Sequence, residues 1–479
     1  MSPLWTASEI AEATGGTVHG DFDVAGAAFD SREVGAGDLF IALKGETTDG
    51  HKFVDQAFAQ GAAGALASRD IAHPHVRVAD TTIALNNLAW AARERSKAKI
   101  VGVTGSVGKT GTKEALFAAL ERSAPGRAHR SVKSYNNHVG VPLSLVRMPR
   151  AARYGVFEMG MNHAGELAAL ARIVRPHVAI VTTIAPAHRE YFASDAAIAD
   201  AKGEIFQGLE PEGAAIIPYD SPHRDRLIAA ARPWAARILT FGMDEGADVH
   251  ASYVIRGPRG GSMVTASLPG AQLSFTLSQP GEHWVANALA VLAAVEAIGG
   301  DLAAAGLALA ELGGLKGRGE RHLVAVEGGA ALLIDESYNA NPASMAATLK
   351  VLGEEKVAGR RIAVLGAMRE LGPDSDDFHA ALADRLEQAH VDYAILVGAE
   401  MEALAKALGG QVKMAHVPDA AAALPLARAA IGPGDALLVK GSNAIGLAAL
   451  VEALAGGPSA EPVLSGAAGA GEGLGTEKD

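Results

Sequence analysis

From residue 99 onwards the apolar residues gather into short continuous runs. KIVGV, YGVFEMG, HVAIVTTI, GAAIIPYD and ARILTFG follow one another, each separated by a helix-length segment of mixed polarity. Continuous apolar strands alternating with helices predict a parallel sheet covered on both faces. A second series begins near Gly313: ALLIDESY, RRIAVLGAM, YAILVGA and DALLVKGS. It predicts another such sheet, of the doubly wound kind. Ahead of Lys99 the pattern is mixed, with strand-like DLFIAL and GALAS among short helical runs and no strict repeat. ELGGLKGRGE, rich in glycine and charge, reads as a linker. The expected fold is α/β in three domains: a mixed α/β N-terminal domain (1–98), a central domain with a mostly parallel sheet (99–312) and a C-terminal doubly wound, Rossmann-like domain (313–456). Residues 457–479, small and weakly acidic, are expected to be a disordered tail.

Composition narrows the possibilities. The 479 residues are 49% apolar and 20% charged, enough for large cores and too apolar for wholesale disorder. The chain has no cysteine, which removes disulfides, thiolate catalysis and cysteine-ligated metals. A net charge of −12 argues against a nucleic-acid binder. The apolar runs are broken well short of a membrane span. The opening MSPLWTASEIAEATGG lacks a basic stretch followed by an apolar core, so no secretory leader is expected. A cytoplasmic protein, monomeric and without membrane insertion, is the expectation.

The first chemistry lies in VTGSVGKTGTKE. A strand runs into a glycine loop that opens a helix. Such a loop points backbone N–H groups at one spot, and the helix dipole favours an anion there. Gly105, Ser106, Val107, Gly108, Lys109, Thr110 and Gly111 would cradle phosphates, making 99–312 a P-loop domain. Lys109 would reach the β- and γ-phosphates, and Thr110 would offer its hydroxyl to magnesium. A lone GKT is also compatible with an ordinary strand–turn–helix carrying a surface lysine. The preceding strand and the two loop glycines favour ATP. Glu158 ends the run YGVFE, where a carboxylate would either meet magnesium at the mouth of a parallel sheet or serve as a helix-capping or rim acid. His188 lies just past the next apolar strand. Lys202, in AIADAKGEIF, reads from its own context as a solvated helix residue.

The loop G-S-V-G-K-T resembles that of the Mur ligase superfamily, ATP-dependent amide-bond formers of peptidoglycan and folate metabolism. The resemblance extends from about Thr6 to Leu454. DSREVGAGDLFIALKG is similar to the UDP-binding domain of the family and implies that Ser31 and Arg32 lie near the nucleotide sugar. KSYNNHVGVPLSL resembles the substrate-facing segment, with Asn136 and Asn137. GEHWVANALAVLAA resembles the segment that meets adenine, with Asn287 in place and Trp284 where a first asparagine is usual. GRGE supplies Arg318, which the resemblance aims at the γ-phosphate. The lysine of the segment AKGEI is carbamylated in most members, which implies that Lys202 acts with Glu158 and His188 at a magnesium site.

DESYNANPASM and VLGAMRELGPDS resemble the branch that adds D-alanyl-D-alanine to UDP-N-acetylmuramoyl-tripeptide (UDP-MurNAc-tripeptide). Asp335 and Glu336 would share a nucleotide role, Glu336 standing where Asp is usual. Tyr338, Asn339 and Asn341 would face the dipeptide. The DNPR motif of the MurE branch is absent. The implied reaction forms an acyl phosphate from ATP, with Lys109, Arg318 and magnesium gathering the charge. His188 would serve as base where it does not bind metal. A hinge is expected near residues 313–319. The rivals are a MurE-like or folylpolyglutamate-type ligase with another acceptor, or a nucleotide-binding regulator that does not ligate.

Overall fold

The computed structural model describes residues 3–45, 48–187, 189–257 and 260–456, together with the backbone of 461–462. Its contacts divide the chain into two compact units. One comprises 1–251, 266–273 and 286–305, the other 252–265, 274–285 and 306–479.

The first unit opens with a five-stranded sheet: β1 (Thr17–His19), β2 (Gly26–Ala28), β3 (Asp38–Ile41), β4 (Gly64–Ala67) and β5 (His75–Arg77), in the order β1-β5-β4-β3-β2. The β1–β5 pair is antiparallel and the others parallel. The run at Lys99 becomes β6 (Lys99–Thr104), whose Ile100, Val101 and Val103 are fully buried. Each such aliphatic side chain contributes about 1.5–3 kcal/mol on leaving water.

The glycine loop then feeds α1 (Lys109–Ser123). The expected alternation continues through β7 (Ala128–Arg130), α2 (Gly140–Val146), β8 (Tyr154–Glu158), α3 (Glu166–Val174), β9 (Val178–Val181), α4 (Asp195–Gly203), β10 (Ala214–Pro218) and β11 (Arg237–Gly242). These six neighbouring strands are all parallel, in the order β11-β10-β9-β6-β8-β7. The chain leaves β6 in one direction and later returns to its other side. The carboxyl ends of β6, β8 and β9 therefore flank a switch point, where parallel sheets bind ligands. One core runs under both sheets of this unit; Trp5 donates its indole N–H to the Val146 carbonyl at 3.0 Å.

The second unit carries β12 (Glu320–Val326), β13 (Gly329–Glu336), α5 (Pro342–Glu354), β14 (Arg361–Gly366), β15 (Tyr393–Val397), β16 (Lys413–Val417), α6 (Ala420–Ala430), β17 (Ala436–Lys440) and α7 (Leu447–Ala455). The order is β16-β15-β14-β17-β13-β12, parallel except for the β12–β13 hairpin. β17 inserts between β13 and β14, placing Glu336 and Lys440 side by side at two strand ends. Of the tail expected from 457 onwards, only 461–462 fall within the described residues, and these pair antiparallel with β12. Among the described residues no helix is long and apolar enough to cross a membrane.

Candidate active site

The glycines of the loop after β6 are required by space. Gly105 has φ +150°, and a Cβ on it would lie 1.9 Å from the Thr182 hydroxyl. Gly108 has φ +87°, and its Cβ would come within 2.7 Å of Asn287 Oδ1. Asn287 is buried on the helix Glu282–Ala297, so it backs the loop directly. Ser106 is tied into neighbouring chain: its N–H donates to the Thr183 carbonyl at 2.7 Å and its hydroxyl to the Ala185 carbonyl at 3.0 Å. The Thr182 hydroxyl donates to the Val107 carbonyl. Lys109 folds back over the loop, its ammonium donating to the Gly105 carbonyl at 2.7 Å. Thr110 and Gly111 are buried in the first turn of α1.

Two further elements converge on that turn. Glu158, the last residue of β8, is buried, with both carboxylate oxygens engaged. Oε2 accepts from the Thr110 hydroxyl and Oε1 from the Asn136 amide, each at 2.8 Å. These are hard oxygen donors beside a helix N-terminus, a donor set that suits magnesium. Lys202, in the last turn of α4, is buried rather than solvated. Burial first, and then the charge of Lys109, holds its amine well below the ordinary lysine value. His188 lies outside the described residues. Asn137 accepts from the N–H groups of Val139 and Gly140 at 3.2 and 2.9 Å, fixing the start of α2.

The DSRE segment, Asp30 to Glu33, reaches the same loop. Ser31 is buried and donates to Gln56 Oε1 at 3.1 Å; Arg32 is exposed and paired with Asp30, whose carboxyl it pulls down to about 2. Glu33 pairs with Lys133 and accepts from the Tyr135 hydroxyl at 2.7 Å. Neither this bridge nor the role of Lys113 shows in the spacing of residues along the chain. That lysine is completely buried under the loop. It donates to the Ser131 and Lys133 carbonyls at 3.0 and 2.8 Å and pairs with Glu114 at 2.9 Å. Ser131 in turn accepts from the Glu158 N–H at 3.2 Å. Lys113 thus supports the segment that carries Asn136 and touches Glu158.

In the second unit Arg318 sits between two glycines at φ +72° and +85°, Gly317 and Gly319. Its guanidinium lies 4.3 Å from the centre of the Tyr338 ring. Asp335 organises this turn, its carboxylate accepting from the N–H groups of Gly317 and Ser337 at 2.8 and 3.0 Å. Glu336 lines a small pocket with His283, Trp284, Arg321 and Thr348. Glu336 lies 3.4 Å from the Lys440 ammonium, which also donates to the Asn339 carbonyl at 3.0 Å. Burial raises the Glu336 carboxyl and lowers the Lys440 amine, and their mutual attraction offsets only part of either shift. Asn341 caps α5, accepting from the Ser344 N–H. The histidine after RELGPDS, His379, is buried and structural: its Nε2 accepts from the Met368 N–H at 2.9 Å.

Residues 23–103 match the Mur ligase family, catalytic domain; 103–295 match the Mur ligase middle domain; and 317–443 match the Mur ligase, glutamate ligase domain. The UDP-N-acetylmuramoyl-tripeptide–D-alanyl-D-alanine ligase of Escherichia coli K12 is 35% identical, over 94% of this chain and 98% of its own. The Bacillus subtilis 168 protein of the same name is 32% identical, over 95% and 99%. MurF from Acinetobacter baumannii superposes with a TM-score of 0.81 at 34% identity, over 94% and 98% of the two chains. A MurF ligase from Thermotoga maritima, solved in complex with ADP, gives 0.73 at 26% identity, over 90% and 96%. With near-full-length relatives above 30% identity and all three domains matched in order, the chain belongs to the Mur ligase family, in its UDP-N-acetylmuramoyl-tripeptide–D-alanyl-D-alanine ligase branch.

Proposed function

We propose that the protein uses ATP to join D-alanyl-D-alanine to UDP-MurNAc-tripeptide, giving the UDP-MurNAc-pentapeptide, ADP and phosphate of cytoplasmic peptidoglycan precursor synthesis. The observation that carries this reading is the knot of Thr110, Glu158 and Asn136. A phosphate loop, a cation-binding carboxylate and an amide of the substrate-facing segment meet there within hydrogen-bond distance. A nucleotide sensor has no need of the third group. Residues 1–98 are assigned to the UDP-sugar, 99–312 to ATP and 313–456 to the dipeptide and closure over the nucleotide.

The tripeptide carboxylate attacks the γ-phosphorus of ATP, ADP departs, and an acyl phosphate forms. The dipeptide amine then attacks the acyl carbon, and phosphate leaves after the amine loses a proton. Lys109 lies against the phosphates and lowers the repulsion between the two anions of the first step. Thr110 and Glu158 would hold magnesium, which when bound supplies charge stabilisation at the phosphate oxygens. Lys202, whose amine burial shifts toward the neutral form, would attack CO2 through that free amine and lose a proton to leave a carbamate; that anion would join the same cation site. Arg318, kept in place by Asp335 and Tyr338, is the cation assigned to the γ-phosphate.

The test is ATP-dependent phosphate release with UDP-MurNAc-tripeptide and a panel of acceptors. Only D-alanyl-D-alanine should stimulate release and yield the pentapeptide mass. Stimulation by a diamino acid or by glutamate would move the chain to another branch of the family. Lys109→Ala should abolish acyl-phosphate formation and leave UDP-sugar binding nearly intact.

A further inference from the structure

We propose that His19, Asp70 and His75 form a binding site for a zinc-class divalent cation on the N-terminal sheet, on elements other than those of the ATP site. His19 and His75 are direct cross-strand partners in the β1–β5 ladder. Their rings stack face to face, with centroids 4.6 Å apart and planes 5° from parallel. Asp70 lies on the turn leading into β5, its Oδ1 4.0 Å from His75 Nε2. One ligand atom from each of the three residues falls within 4.8 Å of the other two.

The decisive atom is His75 Nε2. The ring is buried, with only 3% of its side chain exposed, and Nε2 has no hydrogen-bond partner. Nδ1 lies 2.8 Å from the His73 carbonyl, which accepts only from an N–H. Nδ1 therefore carries a proton, and Nε2 lies 4.0 Å from Asp70 Oδ1. An N–H to carbonyl bond on one nitrogen with a free lone pair on the other is the arrangement that orients histidine toward a metal. A buried polar nitrogen left unsatisfied is costly, and a bound cation removes that cost.

Two imidazoles and one carboxylate, with a water completing a tetrahedron, suit zinc better than magnesium, which wants oxygen alone. Zinc bonds of about 2.0–2.2 Å bring ligand atoms roughly 3.4 Å apart, so the two rings must tilt out of their parallel stack to close the site. Arg77 holds Asp70 at 3.2 Å from both carboxylate oxygens, and the metal must share that carboxylate with it. A bound cation would clip the edge strand β1 to β5 and to the turn before it.

The experiment is zinc titration of the tag-free, full-length protein against a chromophoric chelator, with millimolar magnesium present throughout. One equivalent should bind, with affinity at least tenfold weaker in His19→Gln, His75→Gln and Asp70→Asn. Zinc should raise the melting temperature of the parent protein and not of these variants. His19 lies on an exposed strand, so His19→Gln should melt like the parent without metal, separating loss of a ligand from loss of the fold. His322→Gln, from a second His/Glu/Asp cluster with Glu320 and Asp335, should keep the tight site. Parent-like binding in both His19→Gln and His75→Gln, or no stoichiometric zinc in the parent, would overturn the proposal.

Discussion

The Thr110 hydroxyl donates to Glu158 across 2.8 Å, joining the first turn of α1 to the end of β8. Glu158→Gln keeps the shape and an acceptor for Thr110 while removing the charge. Phosphate release should fall by about 100-fold or more, the scale of losing one preorganised electrostatic partner. The magnesium concentration for half-maximal rate should rise. An unchanged magnesium dependence would take Glu158 out of the cation site.

Lys202 gives a prediction independent of rate. Protein equilibrated with 13C-bicarbonate should show a carbamate carbon signal that is lost in Lys202→Ala. Because burial shifts the amine toward its neutral form, the signal should be present near neutral pH, where an ordinary lysine is almost wholly protonated. A spectrum identical in parent and variant would refute the modification.

Gly317 should not tolerate a side chain. Its φ is +72°, and a Cβ would stand 2.7 Å from that of Tyr338. Gly317→Ala should cost about 1–3 kcal/mol of local strain and displace the Arg318 turn. The expected result is a reduced kcat, with ADP and UDP-sugar affinities nearly kept. Arg318→Ala should go further, about 10³-fold in kcat, as for other arginines on a transferring phosphoryl group. If Gly317→Ala is as active as the parent, the turn does not position Arg318.

Acid should destabilise the first unit earlier than carboxylate titration alone would. Burial depresses the imidazoles of His129 and His177 to about 4. The unfolded chain takes up these protons near pH 6.5, and the folded chain refuses them until about pH 4. Stability is therefore full above about 6.5 and declines as pH falls toward 4. His177 Nδ1 accepts from the Ile100 N–H at 3.0 Å, a bond that protonation breaks. Melting temperature against pH should show this decline, and His177→Asn should flatten it. A parent curve level between pH 6.5 and 4.5 would contradict the assignment.

The parallel strands were legible because each is buried on both faces, as in YGVFE and VAIV. The Glu320–Val326 strand was not, since its first residues are charged or polar and only Val324 is buried. The phosphate loop was legible from local spacing, since its glycines answer to Thr182 and Asn287 through simple crowding. Lys113 was illegible for the opposite reason. Within KEALFAALERS a lysine reads as the solvated face of a helix, and only the fold of 131–137 over it turns it inward. Glu33 owes its partners to residues a hundred positions away. Such long-range polar pairs leave no periodic trace in a sequence.

The bond from Tyr135 to Glu33 has a consequence for how this molecule can be rearranged. The DSRE segment and the loop that carries Asn136 are fastened at one carboxylate, and Asn136 is fastened to Glu158. A chimera that grafts the N-terminal sheet of another ligase onto this chain would sever that fastening unless residues 133–137 travelled with it. The DSRE segment and residues 133–137 are exchangeable here only as one heritable block, whose boundary lies beyond the edge strand β7 rather than ahead of β6.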